Sequence, residues 1–158
     1  MAETSGKLLK IILEGPALHR ISALQQADRE QAVQDLALES AFYLPAYPHA
    51  QSILHLSIQE GRLIFDVRDP QDQPVQAVGL SLGPFRALVR DYKLLLESYE
   101  DAVAEGREAR VQAIDMGRRG LHNEGAELLL ARLAGKLVID FPTARRLFTL
   151  ICALHQKL

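Results

Sequence analysis

Tryptophan is absent from this 158-residue chain, cysteine occurs once and methionine twice. A single cysteine excludes an internal disulfide. Cys152 sits in the apolar run LFTLICALH, where it reads as a small buried hydrophobe rather than a reactive thiol. No apolar run approaches the roughly 18 residues that a membrane-spanning helix needs, and the start, MAETSGK, lacks an apolar targeting core. Neither sign of charge dominates: the net charge is −2 and the pI about 6.2. No global basic field draws nucleic acid or anionic lipid to the surface, so a soluble, cytoplasmic protein without membrane contact is expected.

Chemical signatures are also missing. The five histidines, His19, His49, His55, His122 and His155, are scattered, with no HExxH and no paired cysteines, so no metal site is expected. There is no GxSxG, no GxxxxGK and no GxGxxG after a strand. The acids are spread along helix faces and nominate no carboxylate pair. No catalytic residue and no cofactor follow from the sequence, and whether the chain is an enzyme stays open.

With 48% hydrophobic residues, the composition is that of a globular domain long enough to bury roughly 70% of its unfolded surface. The pattern predicts a single α+β domain over residues 1–158, an antiparallel β-meander with helices packed on one side, in the order β-α-β-β-β-α-α-β-α. Lys7 to Glu14 is an apolar run ended by Gly15-Pro16, a first strand. Asp28 to Glu39 reads as a helix. Leu54, Leu56 and Ile58, then Leu63, Phe65 and Val67, alternate with polar residues. A two-residue Glu60-Gly61 turn puts Ile58 opposite Leu63, Leu56 opposite Phe65 and Leu54 opposite Val67, all on one face. That register also sets His55 opposite Asp66, a cross-strand contact. Val75 to Leu80 follows as a third strand. Gly83-Pro84 opens a helix to about Glu105, with Phe85, Leu88, Tyr92, Leu95, Tyr99 and Ala102 at helical spacing and Gly106 as its stop. Lys136 to Ile139 is a short strand, and Pro142 starts a last helix with Leu147, Ile151 and Leu154 inward.

The segment AIDMGRRGLHNEGAELLLARLAG, Ala113 to Gly135, admits three readings. As one helix, it puts Ile114, Gly117, Leu121, Gly125 and Leu128 within about 80° of each other, a stripe another helix could approach closely. Asp115, Arg118, Arg119 and His122 then share an adjoining arc of about 100°. That arc is either a salt-bridged edge or an anion site with two guanidinium groups and a histidine. A break at Gly117 to Gly120 would instead give a GXXG loop between two helices, the pattern with which KH-type domains clamp a nucleic-acid backbone. The acids Glu124 and Glu127 that follow argue against phosphates there. In the third reading Gly120 caps one helix and Asn123 starts the next. Arg145-Arg146 is a second dibasic pair that could join the first if the two helices pack together.

AIDMGRRGLHNEGAELL, with TARRLFTLICALH after it and LSLGPFRALVRDY before it, resembles Uncharacterised Protein Family 0262 of alphaproteobacteria. The similarity spans nearly the whole chain and is strongest from about Leu54 to His155. DREQAVQDLALESAFYLP looks like the family's first helix. The Asp69 to Pro74 turn lacks a glycine that the family tends to have. The resemblance implies a bacterial cytoplasmic protein of unassigned function, with no cofactor or catalytic residue to carry over. The leading expectation is a small non-catalytic protein that binds a protein partner or forms a homo-oligomer, using an apolar rim of Tyr92, Tyr99 and leucines. The alternative is an anion or phosphometabolite binder at Arg118, Arg119 and His122, with Asp115 orienting. Nucleic-acid binding through Gly117 to Gly120 is the second alternative and the disfavoured one.

Overall fold

The computed structural model describes residues 6–15 and 23–154; the sequence positions His19 and His155 lie outside them. Strand β1 (Lys7–Glu14) leads into helix α1 (Ala23–Leu38) and a two-residue strand β2 (Phe42–Tyr43). Strands β3 (Gln51–Gln59), β4 (Arg62–Arg68) and β5 (Pro74–Ser81) follow, then a 3-10 turn at Gly83–Phe85. Helices α2 (Arg86–Ala104) and α3 (Glu108–Leu133), strand β6 (Val138–Ile139) and helix α4 (Phe141–Leu154) complete the α+β fold.

The β3–β4 hairpin has the register that burial dictates: Ile58 faces Leu63, Leu56 faces Phe65 and Leu54 faces Val67. Glu60 and Gly61 both adopt positive φ, 51° and 73°, the geometry that a two-residue hairpin turn requires. β5 continues the antiparallel meander, with Val78 and Leu80 joining Leu54, Leu56, Leu63, Phe65 and Val67 on the buried face. Side chains of all four helices complete that core.

Two features depart from the expected meander. β1 lies beside β3 in parallel, so the four-stranded sheet, in the order β1-β3-β4-β5, is mixed. The chain leaves β1 through α1 and returns in the same direction, which a parallel neighbour needs. β2 pairs with β6 in a separate antiparallel ribbon.

The helices are arranged α1, α4, α3, α2, with α4 touching α1 on one side and α3 on the other. This central position explains why every residue of α4 from Leu147 to Leu154 is buried. Asp140 Oδ1 accepts the Thr143 N–H at 2.9 Å and caps the start of α4.

α3 is one continuous helix through Gly117, Gly120 and Asn123. This corrects two of the three sequence readings: there is no GXXG loop for a nucleic-acid backbone, and Gly120 and Asn123 cap nothing. Tertiary packing overrides the local cost of the glycines, about 1 kcal/mol each. α2 lies along α3, with Leu95 against Gly117, and Phe148 of α4 presses on Gly125. The burial stripe of α2 is also rotated from the expected one. Val89 and Leu96 are buried, whereas Leu88, Leu95 and Tyr99 are half-buried.

Candidate functional site

The helix layer brings one polar cluster together from four helices: Asp28 on α1, Tyr92 on α2, Asp115, Arg118 and His122 on α3, and Arg145 on α4. Arg118 lies on the α3 face turned toward its neighbours. Its Nη1 donates to Asp28 Oδ2 at 3.1 Å, and its Nη2 is 3.3 Å from Asp115 Oδ1 one turn back. Its guanidinium carbon stands 5.9 Å from the Tyr99 ring centroid, within cation–π range. Asp28 Oδ2 also accepts the Tyr92 hydroxyl at 2.7 Å. One carboxylate thus ties α1 to α2 and α3. Burial, with the Asp28 charge and hydrogen bond, raises the Tyr92 phenol far above its ordinary pKa, so it stays a neutral donor.

His122 lies one turn beyond Arg118. Its ring stacks at a tilt on Tyr92, centroids 5.1 Å apart, and meets Phe148 edge-on at 6.2 Å. Burial first, then the positive charges of Arg145 and Arg118, push its pKa down to about 4, against a smaller opposing pull from Asp28. The imidazole is neutral at neutral pH. Among the described residues, His122 Nε2 and Arg145 Nε are buried without a hydrogen-bond partner. Cys152 is buried too, and burial raises its thiol well above the ordinary range.

Of the four residues nominated from sequence, the structure gathers Asp115, Arg118 and His122. Arg119 sits on the solvent side of Asp115, 73% exposed, with its Nη2 3.7 Å from Asp115 Oδ2. The carboxylate that separates the two guanidinium groups is therefore the protein's own. Arg145 reaches the cluster as its helix position allowed, whereas Arg146 turns to α1 and donates to the Glu39 carbonyl at 3.0 Å. The sequence reading missed Asp28 as a site residue. Its partners Tyr92 and Arg118 are 64 and 90 positions away, and no local pattern signals them. Tyr92, expected to contribute to an apolar rim, is only 1% accessible and belongs to the core. Among the described residues no group of three or more histidine, cysteine or acidic side chains is placed to hold a metal ion.

A second polar cluster lies on the sheet face away from the helices. His55 stands opposite Asp66 in the β3–β4 register, but its hydrogen bonds go elsewhere. Nδ1 is 2.7 Å from Glu14 Oε1 and Nε2 is 2.8 Å from Asp72 Oδ1. Asp66 instead accepts from Arg68 at 2.9 and 3.1 Å. Asp72, at a φ of 63°, holds the β4–β5 loop onto the sheet through His55 and Arg68. Burial alone would lower the His55 pKa; its bonds to Glu14 and Asp72 outweigh that and raise it. The bond to His55 lowers Asp72. The clamp's stabilising effect is therefore fully present between the ordinary values of Asp72 and His55, 3.8 and 6.5. It fades as pH rises through the folded His55 pKa, or falls through the folded Asp72 pKa. In a proton NMR titration the His55 ring resonance should have its midpoint above 6.5. A midpoint at or below the ordinary value would show that the two carboxylates do not hold the ring.

Comparison with known proteins gives the chain's relatives. The model of the uncharacterised protein family UPF0262 matches residues 5–157. A UPF0262 protein of Acidiphilium cryptum is 60% identical over 156 residues, covering 99% of this chain and 96% of the relative. One from Granulibacter bethesdensis is 59% identical, covering 98% and 92%. One from Rhodospirillum rubrum is 49% identical, covering 82% and 80%. No solved structure matches. With a family match over nearly its whole length and relatives this similar, the chain belongs to UPF0262, an uncharacterised protein family.

Proposed function

We propose that the protein works in the cytoplasm by association rather than turnover, and that a second copy of the chain pairs with it along the open edge of β5. The observation that carries this reading is the edge itself. Among the described residues β4 is the only strand neighbour of β5, and the eight residues PVQAVGLS contain no charge. An edge strand presents a row of unpaired backbone donors and acceptors, which proteins usually blunt with charges, prolines or covering segments. The opposite edge is blunted in this way. β1 carries Lys7, Lys10 and Glu14, and its Leu8 N–H donates to Ser40 Oγ at 2.9 Å. On β5 only Pro74, at the entry, interferes.

Two-fold pairing sets residues near the axis against their own kind, so a charge there would meet itself. β5 has none to repel. Antiparallel pairing centred on Ala77 would place Gln76 opposite Val78 and keep each sheet face continuous. Tyr47 and Val75, 55% and 42% exposed, add apolar area at the mouth of the strand. They line a cleft of about 760 Å³ between the β2–β3 and β4–β5 connections. No helix of the described residues is long and apolar enough to cross a membrane. Anion binding at Arg118 is less favoured, because a ligand there would have to displace Asp28 or Asp115 from the guanidinium.

Sedimentation velocity over rising concentration tests the reading. Wild type should form a dimer, and a Val75→Lys, Ala77→Lys double variant, changed only at exposed side chains, should remain a folded monomer. A wild type that stays monomeric at about 100 µM, or a double variant that still dimerises, would overturn it.

A further inference from the structure

At the other end of β5 the chain builds a cleft of about 340 Å³ between the sheet and the C-terminal end of α3. Arg62 from β4, Arg132 from the last turn of α3 and Lys136 from the loop after it all line this cleft, with Ser81 and Gly79 of β5. None of the described residues that line it is acidic. Among the described residues, no carboxylate pairs with any of these three cations, in contrast to Arg68, Arg107, Arg118, Arg119 and Arg146, each of which has one. In a chain of net charge −2, three cations converging without a counter-ion mark a local concentration of positive potential. Arg62 is also placed by the backbone. Its guanidinium lies across Gly79, where an added Cβ would come 2.9 Å from Nη2 and 3.3 Å from Nε.

We propose that this cleft is a binding site for a phosphate-bearing small molecule. Arg62 and Arg132 supply fork-shaped donors suited to bidentate contact with phosphate oxygens, Lys136 a point charge and Ser81 a hydroxyl donor. The bland alternative is that Arg132 and Lys136 merely offset the negative end of the α3 dipole. It accounts for two of the three cations but not for Arg62, which belongs to the sheet. The cleft shares Gly79 and Ser81 with the strand proposed to pair, and phosphate binding is read by a different measurement from self-association.

Calorimetric titration at low ionic strength with inorganic phosphate, pyrophosphate and tripolyphosphate tests the site. Pyrophosphate or tripolyphosphate should bind saturably, at a Kd of about 1 mM or tighter, and more weakly as salt rises. Arg62→Gln with Arg132→Gln should weaken binding by about tenfold or more. Gly79→Ala separates geometry from charge. The atoms nearest the added methyl belong to the flexible end of Arg62, so the fold should persist while the guanidinium moves and affinity falls severalfold. Arg110→Gln, a loss of one exposed charge elsewhere on α3, should leave binding unchanged. Absence of saturable binding by all three probes would overturn the proposal. So would equal affinity in the double variant, or an Arg110→Gln loss equal to that of Gly79→Ala, which would reduce the effect to net charge.

Discussion

Gly125→Leu should destabilise the fold by about 1–3 kcal/mol or more, lowering the melting temperature by several degrees, although leucine is the better helix former. Gly125 is buried where α3 crosses α4, and a Cβ built there would penetrate the Phe148 ring closer than real Cβ atoms approach any neighbour. Phe148 is itself fully buried and cannot swing away without opening the core. Even Gly125→Ala should lose stability, its helix-propensity gain of about 1 kcal/mol being smaller than the overpacking cost. The other two glycines of the segment give the contrast. Gly120 has nothing within 4 Å of a built Cβ, so Gly120→Ala should stabilise by up to about 1 kcal/mol. At Gly117 the nearest atoms are Leu95 methyls at 3.7 Å, an ordinary contact, and alanine should be tolerated. Thermal unfolding of the three alanine variants and Gly125→Leu checks the order. A raised melting temperature at Gly125 would refute the close crossing.

This contrast shows which parts of the segment were legible. The helical arc placed Gly117 and Gly125 on one stripe, but sequence does not say which of them meets a bulky ring. It placed Arg118 and Arg119 together, yet they differ by about 100° around the helix. Packing of α2 and α4 then turned one inward to Asp28 and left the other in water. The hairpin register was legible because two constraints coincide at Glu60-Gly61, the turn length and the need to bury six apolar side chains. The parallel placement of β1 was not, since alternation within a strand says nothing of its neighbour's direction. The His55–Asp66 register was right while the bonding partners were not, because the loop carrying Asp72 folds back over that face. That β5 carries no charge is plain in the sequence. That it stands at an edge depends on the sheet order.

Acidification should expose His122. Its folded pKa of about 4 lies below the ordinary 6.5, so the unfolded chain takes up the proton first. Stability from this group is fully present above 6.5 and is lost as pH falls toward 4. The loss is on the order of 3 kcal/mol, or roughly 6–12 °C in melting temperature for a chain of this size. Exposed carboxylates titrate nearby, so the comparison is with His122→Phe, which keeps an aromatic ring against Tyr92 and removes the titrating nitrogen. Melting temperatures from pH 7 to pH 4 should fall less steeply in the variant than in wild type. Parallel slopes would show that His122 titrates normally and that its contact with Tyr92 and Phe148 is open to water. His55 acts in the opposite direction, losing its contribution as pH rises, and does not confuse the acid limb.

Whether β5 is an association edge is tested most directly by amide hydrogen exchange of residues 74–81 at low and high protein concentration. Strand addition would convert outward-facing N–H groups from solvent-bonded to paired, so their exchange should slow as concentration rises. The amides of β3, paired on both sides within one chain, should not change. Protection confined to β5 and growing with concentration is the result self-pairing predicts. Fast, concentration-independent exchange at the β5 edge would contradict it.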